Sequence, residues 1–203
     1  MNFDTPFVAA AARNARPILG AIEHELVDCE NVLEIGSGTA QQAVVFAAGM
    51  PWLRWQTSDI AEYHPVIEQQ LLDAGVDNVL RPLLLDVLTA VPEPSAYDAV
   101  YASNTAHIMS MSAVEGMFEY VGQTLKTGGR LLLYGPFRMN NAFTTESNAA
   151  FDQSLRKQNA EMGLRDLERL DELGEQNAMH RLRLFAMPSN NLLAVWQKGE
   201  REK

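Results

Sequence analysis

The sequence contains little of what disulfide-bonded, metal-binding or membrane-spanning proteins require. Its single cysteine, Cys29, cannot form a disulfide within the chain, and we expect a structural thiol in a reducing compartment. Cys/His spacings of the kind that bind zinc are missing, as are the P-loop and G-x-S-x-G patterns. No apolar run approaches the roughly 18 residues of a membrane-spanning helix. We therefore expect no bound metal and no membrane association.

Basic residues are also scarce. The 203 residues include 16 Lys and Arg against 26 Asp and Glu, which gives a net charge of −10, and the basic residues do not cluster. Such a charge repels phosphate backbones, so we expect a small-molecule substrate and no nucleic acid. The first residues lack the basic stretch and apolar core of a secretory signal, and we expect a cytoplasmic protein. The oligomeric state stays open.

The chain is organised around a short apolar strand that runs into a turn of small residues. Residues 32–41 are V-L-E-I-G-S-G-T-A-Q, and an apolar helical pattern follows to residue 48. Gly36 and Gly38 can adopt positive φ and let a ligand lie against main-chain N–H groups at the start of a helix. This pattern predicts strand, tight loop and helix, which fits either a cofactor site or an ordinary turn.

The spacing of the glycines separates two cofactor classes. The dinucleotide fingerprint G-x-G-x-x-G needs a third glycine where the chain has Gln41, so NAD is disfavoured. The stretch instead resembles E-x-G-x-G-x-(G/A), motif I of the class I, seven-stranded S-adenosylmethionine (SAM) methyltransferases, with Ala40 at the last small position. The resemblance implies that SAM, and its product S-adenosylhomocysteine, are bound by Glu34, Gly36, Ser37, Gly38 and Gln41.

Acidic residues follow at the ends of the next two predicted strands. An acid at the end of the second strand of a βαβ unit can accept hydrogen bonds from ribose hydroxyls, and we assign Asp59 to this role. The resemblance places Asp86 near the adenine amino group, and we expect Ile60 and Val87 beside the cofactor. Either aspartate alone could equally be a helix cap or a turn residue. Two aspartates at successive strand ends favour the cofactor.

The fourth predicted strand, residues 97–102, leads into candidates for catalysis. Its Y-D-A-V resembles motif IV of the same methyltransferases. Asn104 and His107 follow the carboxyl end of the strand, where open α/β sheets bind ligands. We expect Asn104 to contact cofactor and acceptor and His107 to be the candidate base, although a lone histidine is as readily structural. Ser112 is the predicted N-cap of the next helix.

The fifth predicted strand is followed by residues 135–148, which show no regular pattern. A loop of this length in a compact domain is usually functional or disordered. We expect Tyr134 to be catalytic and Phe137 and Arg138 to border the acceptor.

The first 28 residues are predicted to be a helical cover, divided by Pro17 into two short helices. Arg13 and Asn14 fall between these helices. If the cover lies over the cofactor site, both residues are substrate candidates. Alternatively, Asn14 caps the second helix and Arg13 is a surface residue.

The alternation of strands and helices predicts the architecture. Five strand–helix alternations precede two short strands, residues 182–186 and 192–196, which must pair antiparallel because no helix separates them. The predicted fold class is α/β, a doubly wound Rossmann-like seven-stranded sheet, mostly parallel with a C-terminal antiparallel hairpin. We expect one domain, residues 1–203, with a frayed tail at 198–203.

Four longer segments carry a more specific resemblance. They are A-x-R-N-x-x-P-I-L at residues 11–19, L-Y-G-P-F-R at 133–138, S-N-A-A-F-D-Q-S-L-R at 147–156 and M-P-x-N-N-L-L at 187–193. Together they resemble a methyltransferase-like family of unknown function found from bacteria to animals. This resemblance implies methyl transfer but brings no established substrate.

The sequence therefore predicts a SAM-dependent methyltransferase that acts on an unidentified small molecule. The alternative is a non-catalytic SAM-binding or protein-interaction module that keeps the same fold. An NAD-dependent oxidoreductase is a third, weaker alternative.

Overall fold

A computed structural model describes residues 6–200 of the chain. Its helices are α1 (Pro6–Ile22), α2 (Gln41–Gly49), α3 (His64–Ala74), α4 (Met111–Thr124), α5 (Glu146–Gln158) and α6 (Leu167–Gln176). Its strands are β1 (Asn31–Ile35), β2 (Arg54–Asp59), β3 (Val79–Leu84), β4 (Tyr97–Ser103), β5 (Leu125–Gly135), β6 (Arg138–Met139), β7 (Ala142–Phe143), β8 (Met179–Met187) and β9 (Asn191–Lys198). Across residues 6–200, no helix has the length and apolar character to cross a membrane.

The predicted fold class is confirmed. The protein has a seven-stranded sheet that is mostly parallel and ends in antiparallel C-terminal strands, while β6 and β7 form a separate two-stranded hairpin. The chain divides into two compact units, the first ending at Asp86 and the second beginning at Val87. The single domain over residues 1–203 stays a prediction, and parts of the helical cover (1–5) and of the tail (201–203) lie outside the described residues.

The first unit is built on three parallel strands in the order β3-β2-β1. Phe46 of α2 and Trp55 of β2, both inaccessible to solvent, meet edge to face with ring centroids 5.5 Å apart. Helix α1 packs on α2 so closely that a Cβ on Gly49 would lie 2.8 Å from a methyl carbon of Leu19. The apolar pattern of the sequence thus forms a buried layer between α2 and β2.

The second unit pairs β4 parallel to β5, β5 antiparallel to β9, and β9 antiparallel to β8. Trp196 of β9 is fully buried against Phe118 of α4, with ring centroids 5.6 Å apart, and its Nε1–H donates to Asp171 at 3.0 Å. The predicted terminal hairpin is present but longer than expected, and Pro188–Asn190 form the short 3₁₀ turn between its strands.

The prediction that Pro17 divides the N-terminal segment is wrong. Helix α1 continues through Pro17 to Ile22, and Arg13 and Asn14 lie in its interior, the first exposed and the second half-buried. A proline inside a helix costs about 3 kcal/mol because it removes one hydrogen bond and crowds the preceding turn. Ile18 and Ile22 are both fully buried on one face of the helix, and this burial offsets the cost.

The segment at residues 135–148 is also more regular than predicted. It contains the hairpin β6–β7, whose turn residues Asn140 and Asn141 both have positive φ, 52° and 59°. Two left-handed residues in succession make the type I′ turn that matches the twist of a hairpin, and asparagine tolerates this conformation. The Asn-Asn pair between R-M and A-F was the local signal for it.

Helix α4 is capped by Ser110 and not by Ser112. The Ser110 hydroxyl accepts a hydrogen bond from the N–H of Ala113 at 3.2 Å, and the Ser112 hydroxyl lies 2.9 Å from that of Ser110. The sequence offered two serines within one turn, and only the first has the extended backbone that an N-cap requires.

We predict that Ser110→Ala destabilises the protein by about 1 kcal/mol, because the Ala113 N–H loses its acceptor. Ser112→Ala, on the exposed side of the same turn, should cost less than about 0.5 kcal/mol. Urea unfolding of both variants measures the difference. Equal losses would contradict the assignment of the cap to Ser110.

Candidate functional site

The glycine loop between β1 and α2 is held to the end of β2 by main-chain hydrogen bonds. The N–H groups of Gly36 and Ser37 both donate to the carbonyl oxygen of Ser58, at 3.1 and 3.0 Å. The Ser58 N–H returns a bond to the Ser37 hydroxyl at 3.1 Å. Gly36 and Gly38 have φ of 73° and 58°, so the loop needs residues that tolerate the left-handed region.

Asp59, the predicted ribose ligand, lies directly against this loop. One carboxylate oxygen accepts the N–H of Gly38 at 2.8 Å, and the other accepts the N–H of Ile60 at 2.8 Å. Burial raises the pKa of Asp59, and the two main-chain bonds oppose that rise. A carboxylate can accept about four hydrogen bonds, so Asp59 keeps capacity for ribose hydroxyls after these two.

Glu34 stabilises the loop through a hydrogen bond to Ser37. Its side chain is 3 % exposed, and one carboxylate oxygen accepts both the Ser37 hydroxyl at 2.8 Å and the Trp55 indole N–H at 3.3 Å. Burial raises the pKa of Glu34 to about 7, with the nearby Asp59 adding to the rise and the two hydrogen bonds opposing it. Glu34 thus holds the loop in place while its own charge is only partly present at neutral pH.

The residues of the loop fit a bound SAM. A Cβ on Gly38 would have no atom within 4 Å beyond its chain neighbours, so space is open there. Gln41 begins α2, and its buried side-chain oxygen has no hydrogen-bond partner within residues 6–200. An oxygen that lacks a donor suits a ligand with N–H groups, and SAM carries an ammonium group.

The other predicted cofactor residues are less constrained. Ile60 is 42 % exposed at the end of β2, and Asp86 is exposed beyond β3. Val87 is buried in the second unit, where its carbonyl oxygen would lie 2.9 Å from a Cβ on Gly116 of α4. Their contacts to a cofactor stay predictions.

In the second unit, Asn104 and His107 come together at the ends of β4 and β5. The Asn104 N–H donates to the carbonyl oxygen of Tyr134 at 2.8 Å, and Asn104 has a φ of 57°. A Cβ on Gly135 would lie 3.7 Å from the Asn104 side-chain oxygen and 3.7 Å from Nδ1 of His107. The two predicted catalytic residues therefore share one neighbourhood.

His107 is neutral at physiological pH. Its side chain is 4 % exposed and meets Phe151 of α5 edge to face, with centroids 5.3 Å apart. Burial, together with the positive charge of Arg165, lowers the pKa of His107 to about 4. A neutral imidazole of this kind can accept a hydrogen bond but is a weak base.

Two of the predicted catalytic and acceptor residues near the end of β5 are buried. Tyr134 and Phe137 are 1 % and 2 % exposed, and the Tyr134 hydroxyl accepts a bond from the Asn191 side chain at 2.9 Å. Burial raises the pKa of Tyr134, so its hydroxyl stays protonated. The Arg138 guanidinium lies 5.2 Å from the ring centroid of Phe143, and its buried Nε has no partner within residues 6–200.

Arg165 was not predicted from the sequence. It is 9 % exposed in the connection between α5 and α6, and its guanidinium donates to main-chain carbonyls of the segment that carries His107. Charged residues in irregular segments are usually solvated, and no motif or periodic pattern marks this arginine. Only the folded chain shows its burial.

Comparison with known proteins gives a family and a fold. Residues 5–198 match the sequence model of a family described as "Protein of unknown function (DUF938)". An O-methyltransferase family protein from Burkholderia thailandensis has a similar structure, with 15 % identity and a TM-score of 0.83 over 97 % of this chain and 59 % of its own. Human N-acetylserotonin methyltransferase, solved in complex with SAM, gives 16 % identity and a TM-score of 0.79 over 92 % of this chain and 52 % of its own.

A third similar structure is the YcgJ protein from Bacillus subtilis, with 17 % identity and a TM-score of 0.68 over 90 % of this chain and 98 % of its own. The chain spans little more than half of the first two proteins. At these identities the likeness concerns the fold, which is that of class I SAM-dependent methyltransferases.

We predict that Glu34 makes the free energy of unfolding fall as pH rises. Its pKa is about 7 in the folded protein against an ordinary value of 4.5, so between these values the folded chain holds a proton that the unfolded chain has lost. This stabilisation is complete below pH 4.5 and is lost as pH rises through 7. Relative to Glu34→Gln, the wild type should lose on the order of 3 kcal/mol over that range.

Urea unfolding of both proteins at several pH values measures this difference. Glu68→Gln, on the exposed side of α3, is the control and should follow the wild type at every pH. A wild-type-minus-Glu34→Gln difference that stays constant with pH would contradict the raised pKa.

Proposed function

Because the chain belongs to a family described only as "Protein of unknown function (DUF938)", we propose a function from the site itself: SAM-dependent methyl transfer to a small-molecule acceptor. The observation that carries the proposal is the hydrogen bond from the Gly38 N–H to the Asp59 carboxylate at 2.8 Å. It joins an open glycine loop to the acid at the end of the neighbouring strand. The methyltransferase fold of the similar structures supports the same function.

Three residues in and beside the loop have separate tasks in holding the cofactor. Gly38 leaves the space, Asp59 accepts ribose hydroxyls, and the Gln41 side-chain oxygen accepts an N–H group. When bound, SAM supplies a methyl group on a positively charged sulfur, and a nucleophile can attack that methyl group in line while the sulfur leaves. Because the displacement itself needs no metal or covalent intermediate, the protein contributes mainly position and exclusion of water.

The acceptor is proposed to be a small molecule, which His107, Asn104, Tyr134 and Arg138 would border. With a pKa of about 4, His107 orients an acceptor by accepting a hydrogen bond from it and does not remove a strongly held proton. The net charge of −10 disfavours a nucleic-acid acceptor. The similar human protein is named for a small-molecule substrate, which supports this class of acceptor.

We predict that Gly38→Ala abolishes binding of S-adenosylhomocysteine. Its new methyl group would stand in the space assigned to the cofactor. Gly75→Ala is a matched control: Gly75 has a φ of 60° against 58° for Gly38, and a Cβ there also meets nothing within 4 Å. Both variants should lose roughly 1 to 2 kcal/mol of stability from the left-handed backbone, but only Gly38→Ala should lose the ligand.

Calorimetric titration with S-adenosylhomocysteine decides this prediction, and unfolding curves show whether the two variants are equally stable. Asp59→Ala should weaken binding by roughly 1 to 3 kcal/mol through the lost ribose bonds. A folded wild type that does not bind S-adenosylhomocysteine would sink the proposed function. Equal binding of S-adenosylhomocysteine by Gly38→Ala and Gly75→Ala would contradict the assignment of the glycine loop to the cofactor site.

We further predict that His107→Ala leaves S-adenosylhomocysteine binding near the wild-type value and lowers turnover by roughly 10- to 100-fold, the effect of one lost hydrogen bond. Turnover is measured as S-adenosylhomocysteine released from SAM with the small-molecule fraction of a cell extract as acceptor. His24→Ala, at an exposed histidine of the first unit, should be unchanged. Unchanged turnover in His107→Ala would exclude it from the chemistry, whereas binding without any wild-type turnover would favour a non-catalytic module.

A further inference from the structure

Arg165 is a buried cation whose hydrogen bonds go to main-chain carbonyls. Its Nε donates to Ala106 at 2.9 Å, and its Nη2 donates to Met109 and, at 2.9 Å, to Glu161. Burial lowers the pKa of Arg165, with nearby Arg156 adding to the effect. A guanidinium in this position is costly to bury, and what it gains is a rigid fork of donors on several carbonyls at once.

Two of these carbonyls flank His107. The segment between β4 and α4 turns so that the carbonyl oxygens of Ala106 and Met109 reach the same guanidinium. The carbonyl oxygen of His107 itself accepts the N–H of Gly163 at 2.9 Å. The connection at residues 163–165 therefore fixes the main chain on both sides of the imidazole and at the imidazole's own residue.

The same connection reaches the hairpin that carries Arg138. The carbonyl oxygen of Arg165 accepts the Arg138 N–H at 2.9 Å. The next residue, Asp166, accepts the N–H of Asn141 at the hairpin turn at 2.8 Å. Arg165 thus holds the segment between β4 and α4, which carries His107, by its side chain, and it holds the β6–β7 hairpin by its main chain.

The connection is itself anchored to α5. The buried carboxylate of Asp152 accepts the N–H of Leu164 at 2.8 Å and pairs with the Arg156 side chain at 2.8 Å. A Cβ on Gly163 would lie 2.4 Å from the Arg156 guanidinium, so the chain passes through a tight gap there. The main chain next to Arg165 is therefore held in place by α5.

We propose that Arg165 is a positioning residue of the acceptor site, which holds the segment carrying His107 and the hairpin carrying Arg138 in one fixed arrangement. This inference rests on the proposed function, since it gives the two groups a common substrate. Arg165 acts through the main chain around them and does not itself contact the acceptor. Its positive charge also adds to the lowering of the His107 pKa, which burial mainly causes.

The test compares Arg165→Met, Arg165→Lys and a matched control, Arg169→Met. Arg169 lies on α6, and its ion pairs are with Glu115 and Glu172 at the surface and not with the segment between β4 and α4. Four quantities are measured on each folded protein. They are the pKa of His107 by NMR titration, hydrogen exchange at the Gly163 amide, and turnover with SAM and the small-molecule extract, alongside affinity for S-adenosylhomocysteine.

In Arg165→Met we expect the pKa of His107 to rise above about 4 but to stay below its ordinary 6.5, because burial, the larger cause of the lowering, remains. We also expect the Gly163 amide to exchange faster. Turnover should fall by up to about 100-fold, the effect of a displacement near 1 Å, with the affinity for S-adenosylhomocysteine within about twofold of wild type. Arg165→Lys keeps the positive charge, so the pKa of His107 should stay low. Its Gly163 exchange and its turnover should lie between those of the wild type and of Arg165→Met. Arg169→Met should match the wild type throughout.

Unchanged titration and exchange in Arg165→Met would overturn the proposal. If that variant does not fold, unchanged exchange at the Gly163 amide in Arg165→Lys would overturn it. Turnover equal to wild type despite a loosened segment would also overturn it, because the acceptor site would then not depend on the arrangement. A wild type that binds no S-adenosylhomocysteine is a different failure, that of the proposed function. The NMR and exchange measurements would still decide whether Arg165 holds the segment.

Discussion

The site depends on one constraint: main-chain N–H groups of a tight glycine loop need acceptors, and the end of the neighbouring strand supplies them. The Ser58 carbonyl takes two of these N–H groups and the Asp59 carboxylate takes a third, from Gly38. An unpaired buried N–H costs roughly 1 to 3 kcal/mol, so loop and strand end stabilise each other. Beside Gly38 the space stays open, since a Cβ there would meet no atom within 4 Å.

Regular elements and the glycine loop could be predicted because their signals are local. Strand β1 is a short apolar run that stops at Gly36, and the aspartates follow their strands at fixed intervals. These patterns predicted the fold class, which the structure confirms. The structure also bonds Ser37 to Glu34 and Gly38 to Asp59, while the contacts of these residues to a cofactor stay a prediction. Local chemistry also predicted the terminal hairpin, since two strands without an intervening helix can pair in only one direction.

What could not be predicted depends on partners distant in the sequence. Arg165 reaches Ala106 across 59 residues, and no pattern near either residue indicates this bond. At Pro17 a local signal gave a wrong prediction, a break in the helix. The burial of Ile18 and Ile22 outweighs the local cost of a proline inside a helix. The N-cap of α4 was predicted in part: the residue type, serine, was correct, but the chain offers two serines within one turn and the wrong one was chosen.

Both units fix irregular segments by the same physical means: a side chain whose polar atoms serve several main-chain groups. Asp59 accepts two N–H groups, Arg165 donates to three carbonyls, and the Asn78 side chain donates to three more between α2 and β2. Removing such a side chain orphans several polar groups at once, whereas an exposed ion pair such as Arg169–Glu172 contributes at most about 1 kcal/mol. A few buried or half-buried polar side chains therefore fix the irregular segments of this protein, and its many surface charges add little to this.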